Sequence, residues 1–154
     1  MIEKEIIFNQ DSRKRLKTGI DILAEAVATT LGASGRTVII EDQFGNPHVT
    51  KDGVTVANSV LLSDPVENLG VSILKQASQK TAAEAGDGTT TSCVLAKAII
   101  DGCFNHIDEI ANVTMAKQGI EDAAKEIVKI IERSKKKISV KKLLQVASIS
   151  ANGD

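Results

Sequence analysis

Only three aromatic residues, Phe8, Phe44 and Phe104, occur in a chain of 154, and that shortage narrows what the chain can fold into. With so few large rings, a core has to be filled by Ile, Val, Leu and Ala, a set that suits closely packed helices. A mainly α fold is therefore expected. The 42% hydrophobic and 25% charged residues fall in the ordinary range of one soluble globular domain.

Periodicity supports the helical expectation. Leu16, Ile20, Leu23, Val27 and Leu31 recur at helical spacing, with Asp11 as a candidate N-cap. After the small-residue stretch Gly32 to Gly35, the segments Arg36 to Ile40 and Pro47 to Thr50 flank a polar turn at Gly45-Asn46, which predicts a β-hairpin. A long helix is expected from Asp64-Pro65-Val66-Glu67, where Asp caps and Pro takes the first helical position. Its buried face is expected at Leu69, Ile73, Ala77 and Thr81, and its end at Gly86. A further helix after Asp87 is expected to turn Val94, Leu95, Ala98, Ile99 and Gly102 inward. Another runs from Asn112 or Thr114 through Ala116, Ile120, Ala123, Ile127 and Ile131, and a short one from Ser139 through Leu143, Leu144 and Ala147.

Charge and cysteine usage exclude several classes of function. The net charge is -1, and the lysines at 135–137, 141 and 142 have no interleaved aromatics, so a stacking platform for nucleic acid is not expected. Cys93 and Cys103 stand ten apart, which is neither a metal-ligand spacing nor a disulfide framework, and both read as small core residues of a reduced compartment. The start of the chain lacks an apolar signal region, and no run of about 18 apolar residues occurs. A cytoplasmic protein is the expectation. The chain stops at Ile149 to Asp154 directly after a helical pattern, which reads as the beginning of something longer.

Three short stretches could carry chemistry. Gly86-Asp87-Gly88-Thr89-Thr90-Thr91 lies where one helix ends and another starts. First-turn amides, hydroxyls and the helix macrodipole there favour an anion such as phosphate. A carboxylate beside phosphate makes sense if Asp87 coordinates Mg²⁺, a hard cation that bridges phosphate oxygens. The alternative is a simple capped helix, but three consecutive β-branched threonines are poor helix formers and break a local rule without a packing gain. Thr29 to Gly35 ends a helix in small residues able to approach a ligand closely, or is only a C-cap at Gly32. Lys51-Asp52-Gly53 could place Lys51 against a phosphate and let Asp52 orient a water, or is an Asp-Gly turn.

These stretches belong to an ordered series: Thr-Leu-Gly-x-x-Gly-Arg from Thr30, Thr-Lys-Asp-Gly-Val from Thr50, Glu-Asn-Leu-Gly from Glu67, Ala-Gly-Asp-Gly-Thr-Thr-Thr from Ala85, and Ile-Ser-Ala-Asn from Ile149. In order and separation the series resembles the amino-terminal portion of group I chaperonins, the bacterial GroEL type, across essentially the whole chain. One departure lies in the loop that is commonly Gly-Pro-Lys-Gly-Arg in that family and reads Gly32-Ala33-Ser34-Gly35-Arg36 here, without a fixed proline φ and without a lysine charge.

The resemblance implies the amino-terminal half of a chaperonin equatorial domain, a helical bundle with a β-hairpin, over residues 1–136, and the start of an intermediate domain over 137–154. It implies an ATPase subunit of a folding machine with ATP and Mg²⁺ as cofactors. Thr30, Leu31, Gly32, Lys51, Gly86, Asp87, Gly88, Thr89, Thr90 and Thr91 would surround the nucleotide, with Asp87 as the metal ligand and Asp52 assisting hydrolysis. The implied partners are other subunits of a homo-oligomeric ring, met through Glu5 to Phe8 and the hairpin strands Thr37 to Thr50. Co-chaperonin and unfolded clients would be met through regions beyond residue 154, and no nucleic acid or membrane partner is implied. Another expectation, of a different class, is a short non-catalytic interaction module. An independent phosphotransferase finds little support, because no acceptor site or nucleophile is evident.

Overall fold

The computed structural model describes residues 6–32, 34–42, 44–106 and 112–151. Their elements run α1 (Asn9–Ala28), β1 (Val38–Glu41), β2 (Pro47–Thr50), α2 (Gly53–Ser59), α3 (Pro65–Ala85), α4 (Thr89–Asn105), α5 (Val113–Ser134) and α6 (Val140–Ser150). The mainly helical expectation holds. The chain divides into two compact units, residues 1–103 and 104–154.

In the first unit the core gathers Ile20, Leu23, Ala24 and Val27 from α1, Val56 and Ala57 from α2, Val71 and Leu74 from α3 and Cys93 from α4. None of these is aromatic, and each fully buried Leu or Val contributes about 1.5–3 kcal/mol. Two glycines let α1 and α3 approach more closely than side chains would allow. A Cβ at Gly19 would lie 1.8 Å from the Glu67 carbonyl oxygen, and one at Gly70 would lie 2.1 Å from that of Leu16. Each helix thus presents a notch to the other's backbone.

That notch explains a correction to the expected faces. Gly70, Val71, Leu74 and Ser78 are the buried positions of α3, while Leu69 and Ile73 are 58% and 50% exposed. The apolar stripe read from sequence is real but points away from α1, because the close approach at Gly70 decides which side faces inward. On α4, Cys93, Ala96 and Ile100 meet the core. Leu95, Ala98, Ile99 and Gly102, expected inside, face outward.

Ends of helices behave largely as their residues dictate. Asp64 caps α3 by accepting from the amides of Val66 (2.8 Å) and Glu67 (3.0 Å). Its second oxygen receives Arg15 of α1 at 2.7 Å. Gly86 closes the helix at φ 74°, the left-handed conformation that glycine adopts without strain. Helix α1 begins at Asn9, so Asp11 sits in the first turn and does not cap; Phe8 holds the cap position. Strands β1 and β2 pair antiparallel with Val38 opposite Thr50 and Ile39 opposite Val49. Asp42 organises their turn by accepting from the amides of Phe44 and Asn46 at 2.8 Å each.

The second unit contains α5, capped by Asn112 through the Met115 amide, and α6, with Ser139 at its cap position. Both helices were expected at these places. Neither has a buried residue. Ile120, Ile127 and Ile131 of α5 and Leu143 and Leu144 of α6 are exposed. Glu5, Ala33 and Asn152 to Asp154, which figured in the loop and terminal expectations, lie outside the described residues, and Ile6 to Phe8 belong to no strand of this chain. Among the described residues, no helix is long and apolar enough to cross a membrane.

The buttressing charges set a pH window. Asp64 is held below the usual carboxylate range by the Glu67 amide and Arg15, and Asp101 by Lys17 and Lys97. A depressed carboxyl stabilises the fold at pH above its unfolded value, about 4, and that stability is lost as pH falls through the folded value. Lys17 and Lys97 are raised, chiefly by Asp101, so their share persists to about pH 10.4 and is lost above it. The thermal midpoint, followed by circular dichroism, is expected to decline below about pH 4. A midpoint unchanged through that range would show that the two carboxylates are not linked to folding.

Candidate functional site

Two of the three stretches singled out in the sequence meet at the N-terminus of α2, and the third is tied to the same place through Val27. Gly53, buried, is the first residue of that helix. A Cβ there would lie 2.0 Å from Thr90 Oγ1, 3.3 Å from Thr90 Cβ and 3.3 Å from Val27 Cγ1. Only a glycine lets the Lys51-Asp52-Gly53 turn sit between the end of α1 and the start of α4. Val27 in turn supports the first stretch, because its carbonyl accepts from both the amide (3.1 Å) and the hydroxyl (2.8 Å) of Thr30.

Beyond Thr30 the chain reverses tightly. Gly32 has φ 74°, the Gly35 amide donates to the Gly32 carbonyl at 2.9 Å, and the Arg36 amide donates to that of Thr29 at 2.8 Å. Leu31 and Gly32 are exposed at the tip. A Cβ at Gly35 would lie 2.2 Å from the Thr30 carbonyl oxygen, so the return strand of this loop runs against its outgoing one.

Asp52 caps α2. One carboxylate oxygen accepts from the amide and hydroxyl of Thr55, at 2.8 and 2.5 Å, and the other is 3.4 Å from the Val54 amide. A carboxylate has about four acceptor positions, so an exposed lone pair remains for a further donor such as water. Lys51 and Asp52 are both exposed. At the other end of α2, Lys75 Nζ donates to the carbonyls of Val60 (2.7 Å) and Asn58 (3.2 Å). Burial pushes its pKa down, while the cation suits the negative end of the helix.

Gly88, at φ 83°, delivers the chain into α4, and its amide donates to Asp87 Oδ1 at 2.6 Å. The helical ladder starts with the Ser92 amide donating to the Gly88 carbonyl at 2.9 Å, so the amides of Thr89, Thr90 and Thr91 stand ahead of it, as at any helix start. Asp87 is exposed beside them. Among the described residues there is no group of three or more His, Cys, Asp or Glu side chains that could hold a metal. The donor set fits Mg²⁺ only as a one-carboxylate site that draws its other oxygens from phosphate and water, which is how Mg²⁺ is commonly held.

Sequence reasoning missed two supports of this arrangement, α2 and the Lys75 clamp. The β-branched run Val54-Thr55-Val56 masks the short helix, since such residues favour strands. Its one legible signal was an N-cap aspartate with a hydroxyl residue three positions on.

The sequence profile of the TCP-1/cpn60 chaperonin family matches residues 23–154. Among solved structures, the chain is similar to the chaperonin gp146 of bacteriophage EL 2 (Pseudomonas aeruginosa), crystallised in the presence of ATP-BeFx, with a TM-score of 0.78 and 29% sequence identity. That match covers 96% of this chain and 26% of the phage protein, so the chain spans about a quarter of the chaperonin it resembles. The six helices and the hairpin of the described residues match part of a chaperonin equatorial domain, and with the family profile over 132 of 154 residues the chain belongs to the TCP-1/cpn60 chaperonin family.

Proposed function

We infer that this chain is the nucleotide-binding portion of a group I chaperonin subunit, with Mg-ATP held where α1, α2 and α4 converge. The observation that supports this reading is Gly53: its missing side chain makes room for Thr90 at the start of α4 and for Val27 of α1, whose carbonyl holds Thr30. In this reading the first-turn amides and hydroxyls of Thr89, Thr90 and Thr91 receive phosphate oxygens, with Gly86 and Gly88 giving the backbone its close approach. Thr30, Leu31 and Gly32 cover the nucleotide from the α1 side, and Lys51 meets the terminal phosphate. Asp87 supplies the protein's carboxylate to Mg²⁺, which bridges and neutralises phosphate oxygens. Asp52, anchored by Thr55, orients the attacking water.

Residues 1–136 belong to the equatorial domain and 137–154 to the start of the intermediate domain. Other subunits of a ring meet this one through the hairpin, whose outer face carries Ile39 and Val49, 73% and 61% exposed. Client and co-chaperonin binding falls to the rest of such a protein. The phage relative was crystallised with an ATP analogue, which supports the choice of nucleotide.

Titration calorimetry on the whole protein tests the reading. ATP is expected to bind at least about tenfold more tightly with Mg²⁺ than with a chelator present, the difference of about 1.4 kcal/mol reflecting one charge-assisted ligand. Equal affinities in both conditions would remove Asp87 from a metal role.

A further inference from the structure

A closed square of ion pairs joins α1 to α4, set back from the candidate site. Lys17 Nζ lies 2.7 Å from Asp21 Oδ2 and 2.7 Å from Asp101 Oδ1. Lys97 Nζ lies 3.1 Å from Asp21 Oδ1 and 2.5 Å from Asp101 Oδ2. Each ammonium touches both carboxylates, so the four charges cancel. Their side chains are 27% to 30% exposed, sheltered enough to escape part of the screening that weakens surface pairs.

The pairings fix a direction. Position 17 meets 101 and position 21 meets 97, so the two helices run antiparallel, and both lead from the square to the candidate site. Helix α1 continues to Thr30 and α4 leads back to Thr90, about 13 and 10 Å away at helical rise. At that far end Gly53 sits between Val27 and Thr90. Whereas α1 and α3 approach backbone to backbone, no comparable approach joins α1 to α4 among the described residues. Long side chains span that gap. The distance between the two arms of the site is therefore held by the Gly53 wedge at one end and the Lys-Asp pairs at the other, with Cys93, Ala96 and Ile100 packed on the core between them.

We propose that the Lys17, Asp21, Lys97 and Asp101 square is a positioning device, which holds the N-terminus of α4 at a set distance from the end of α1 and so tunes nucleotide affinity without touching the nucleotide. The effect on affinity rests on the nucleotide reading above; the holding of α4 does not. Removing Lys97 leaves Asp21 and Asp101 sharing one ammonium, and their repulsion loosens the joint that the site depends on.

The test compares the whole protein with Lys97→Met, with the milder Asp101→Asn, and with a fourfold exchange (Lys17→Asp, Asp21→Lys, Lys97→Asp, Asp101→Lys) that rebuilds all four pairs with signs reversed. Two readouts are taken: amide hydrogen exchange at residues 92–95, the first amides of α4 bonded in the helical ladder, without nucleotide, and the dissociation constant for Mg-ATP. Lys97→Met is expected to speed exchange at 92–95 and weaken Mg-ATP binding, each by about threefold to thirtyfold, the range of long-distance coupling. Exchange in the middle of α3 should not change, and the fourfold exchange should restore both readouts. If Lys97→Met fails to fold, Asp101→Asn is expected to show the same two changes at smaller size. Unchanged exchange at 92–95 in a folded single variant overturns the proposal, as does a fourfold variant that folds without restoring it. If exchange responds but the wild-type protein does not bind Mg-ATP, the nucleotide reading fails while the holding of α4 stands.

Discussion

Asp52→Asn and Asp87→Ala are expected to lower ATP turnover of the whole protein by about 10²- to 10⁴-fold, the usual effect of removing one positioned general acid, base or electrostatic group. The two should differ in how they fail. Asparagine caps helices about as well as aspartate, so Asp52→Asn keeps α2 in place through its one side-chain oxygen, which still accepts from Thr55. It should bind Mg-ATP with near-normal affinity while losing the charge that orients water. Asp87 stands exposed in the turn before α4, so its loss removes little packing and should instead erase the Mg²⁺ dependence of binding. Asp52→Ala serves as a contrast, because it also costs the cap, about 0.5–2 kcal/mol. Phosphate-release rates and melting curves read together separate the cases. Turnover within a few-fold of wild type in both variants would show that neither carboxylate acts on the nucleotide.

Gly19→Ala is expected to destabilise the first unit by at least about 3 kcal/mol, a large share of the 5–15 kcal/mol that holds a domain together. In an exposed helix the same substitution stabilises by about 0.5–1 kcal/mol, because alanine loses less backbone freedom on folding. Here the new Cβ would fall 1.8 Å from the Glu67 carbonyl oxygen, a contact that backbone cannot relieve by rotating a side chain. Helices α1 and α3 would have to separate, and Leu23, Val71 and Leu74, each 1% exposed or less, would lose their contacts together. Gly102→Ala is the control. Its Cβ would meet nothing within 4 Å, so a small gain is expected there. Denaturation midpoints give both signs, and a Gly19→Ala protein as stable as wild type would mean that the two helices do not meet at this notch.

These glycines also mark the limit of what the sequence made legible. Helix ends could be read because they depend on adjacent residues: Asp64 with Pro65, Gly86 in its left-handed turn, Asn112 ahead of Met115. The α1 core face was legible for the same reason, one stripe at one spacing through Ile20, Leu23 and Val27, although Leu31, read into the same stripe, lies beyond the helix and is exposed. For α3 and α4 the reading chose the wrong side. Both helices are apolar on two faces, and hydrophobic spacing alone cannot say which face a neighbour will take. Gly70 held the answer, but its meaning depends on Leu16, fifty-four positions earlier, and surfaces only when both backbones are in view. The candidate site divides in the same way. The stretch proposed to bind phosphate was legible from the unusual run Thr89 to Thr91, whereas the meeting of Gly53 with Thr90 and Val27 is a fact of tertiary packing.

The unburied apolar residues of α5 and α6 bear on the thermodynamics of unfolding. Heat capacity change and denaturant sensitivity both scale with the surface that unfolding newly exposes. Ile120, Ile127, Ile131, Leu143 and Leu144 are already 40% to 73% exposed and add less to either than buried residues would. For the chain by itself, the heat-capacity increment comes mainly from the first unit of 103 residues, about 1.2–1.5 kcal/mol/K, and so falls short of the roughly 2 expected from 154 residues of ordinary globular protein. The dome of stability against temperature is correspondingly flat, and any chain that covers α5 and α6 steepens it by burying what this one leaves in water.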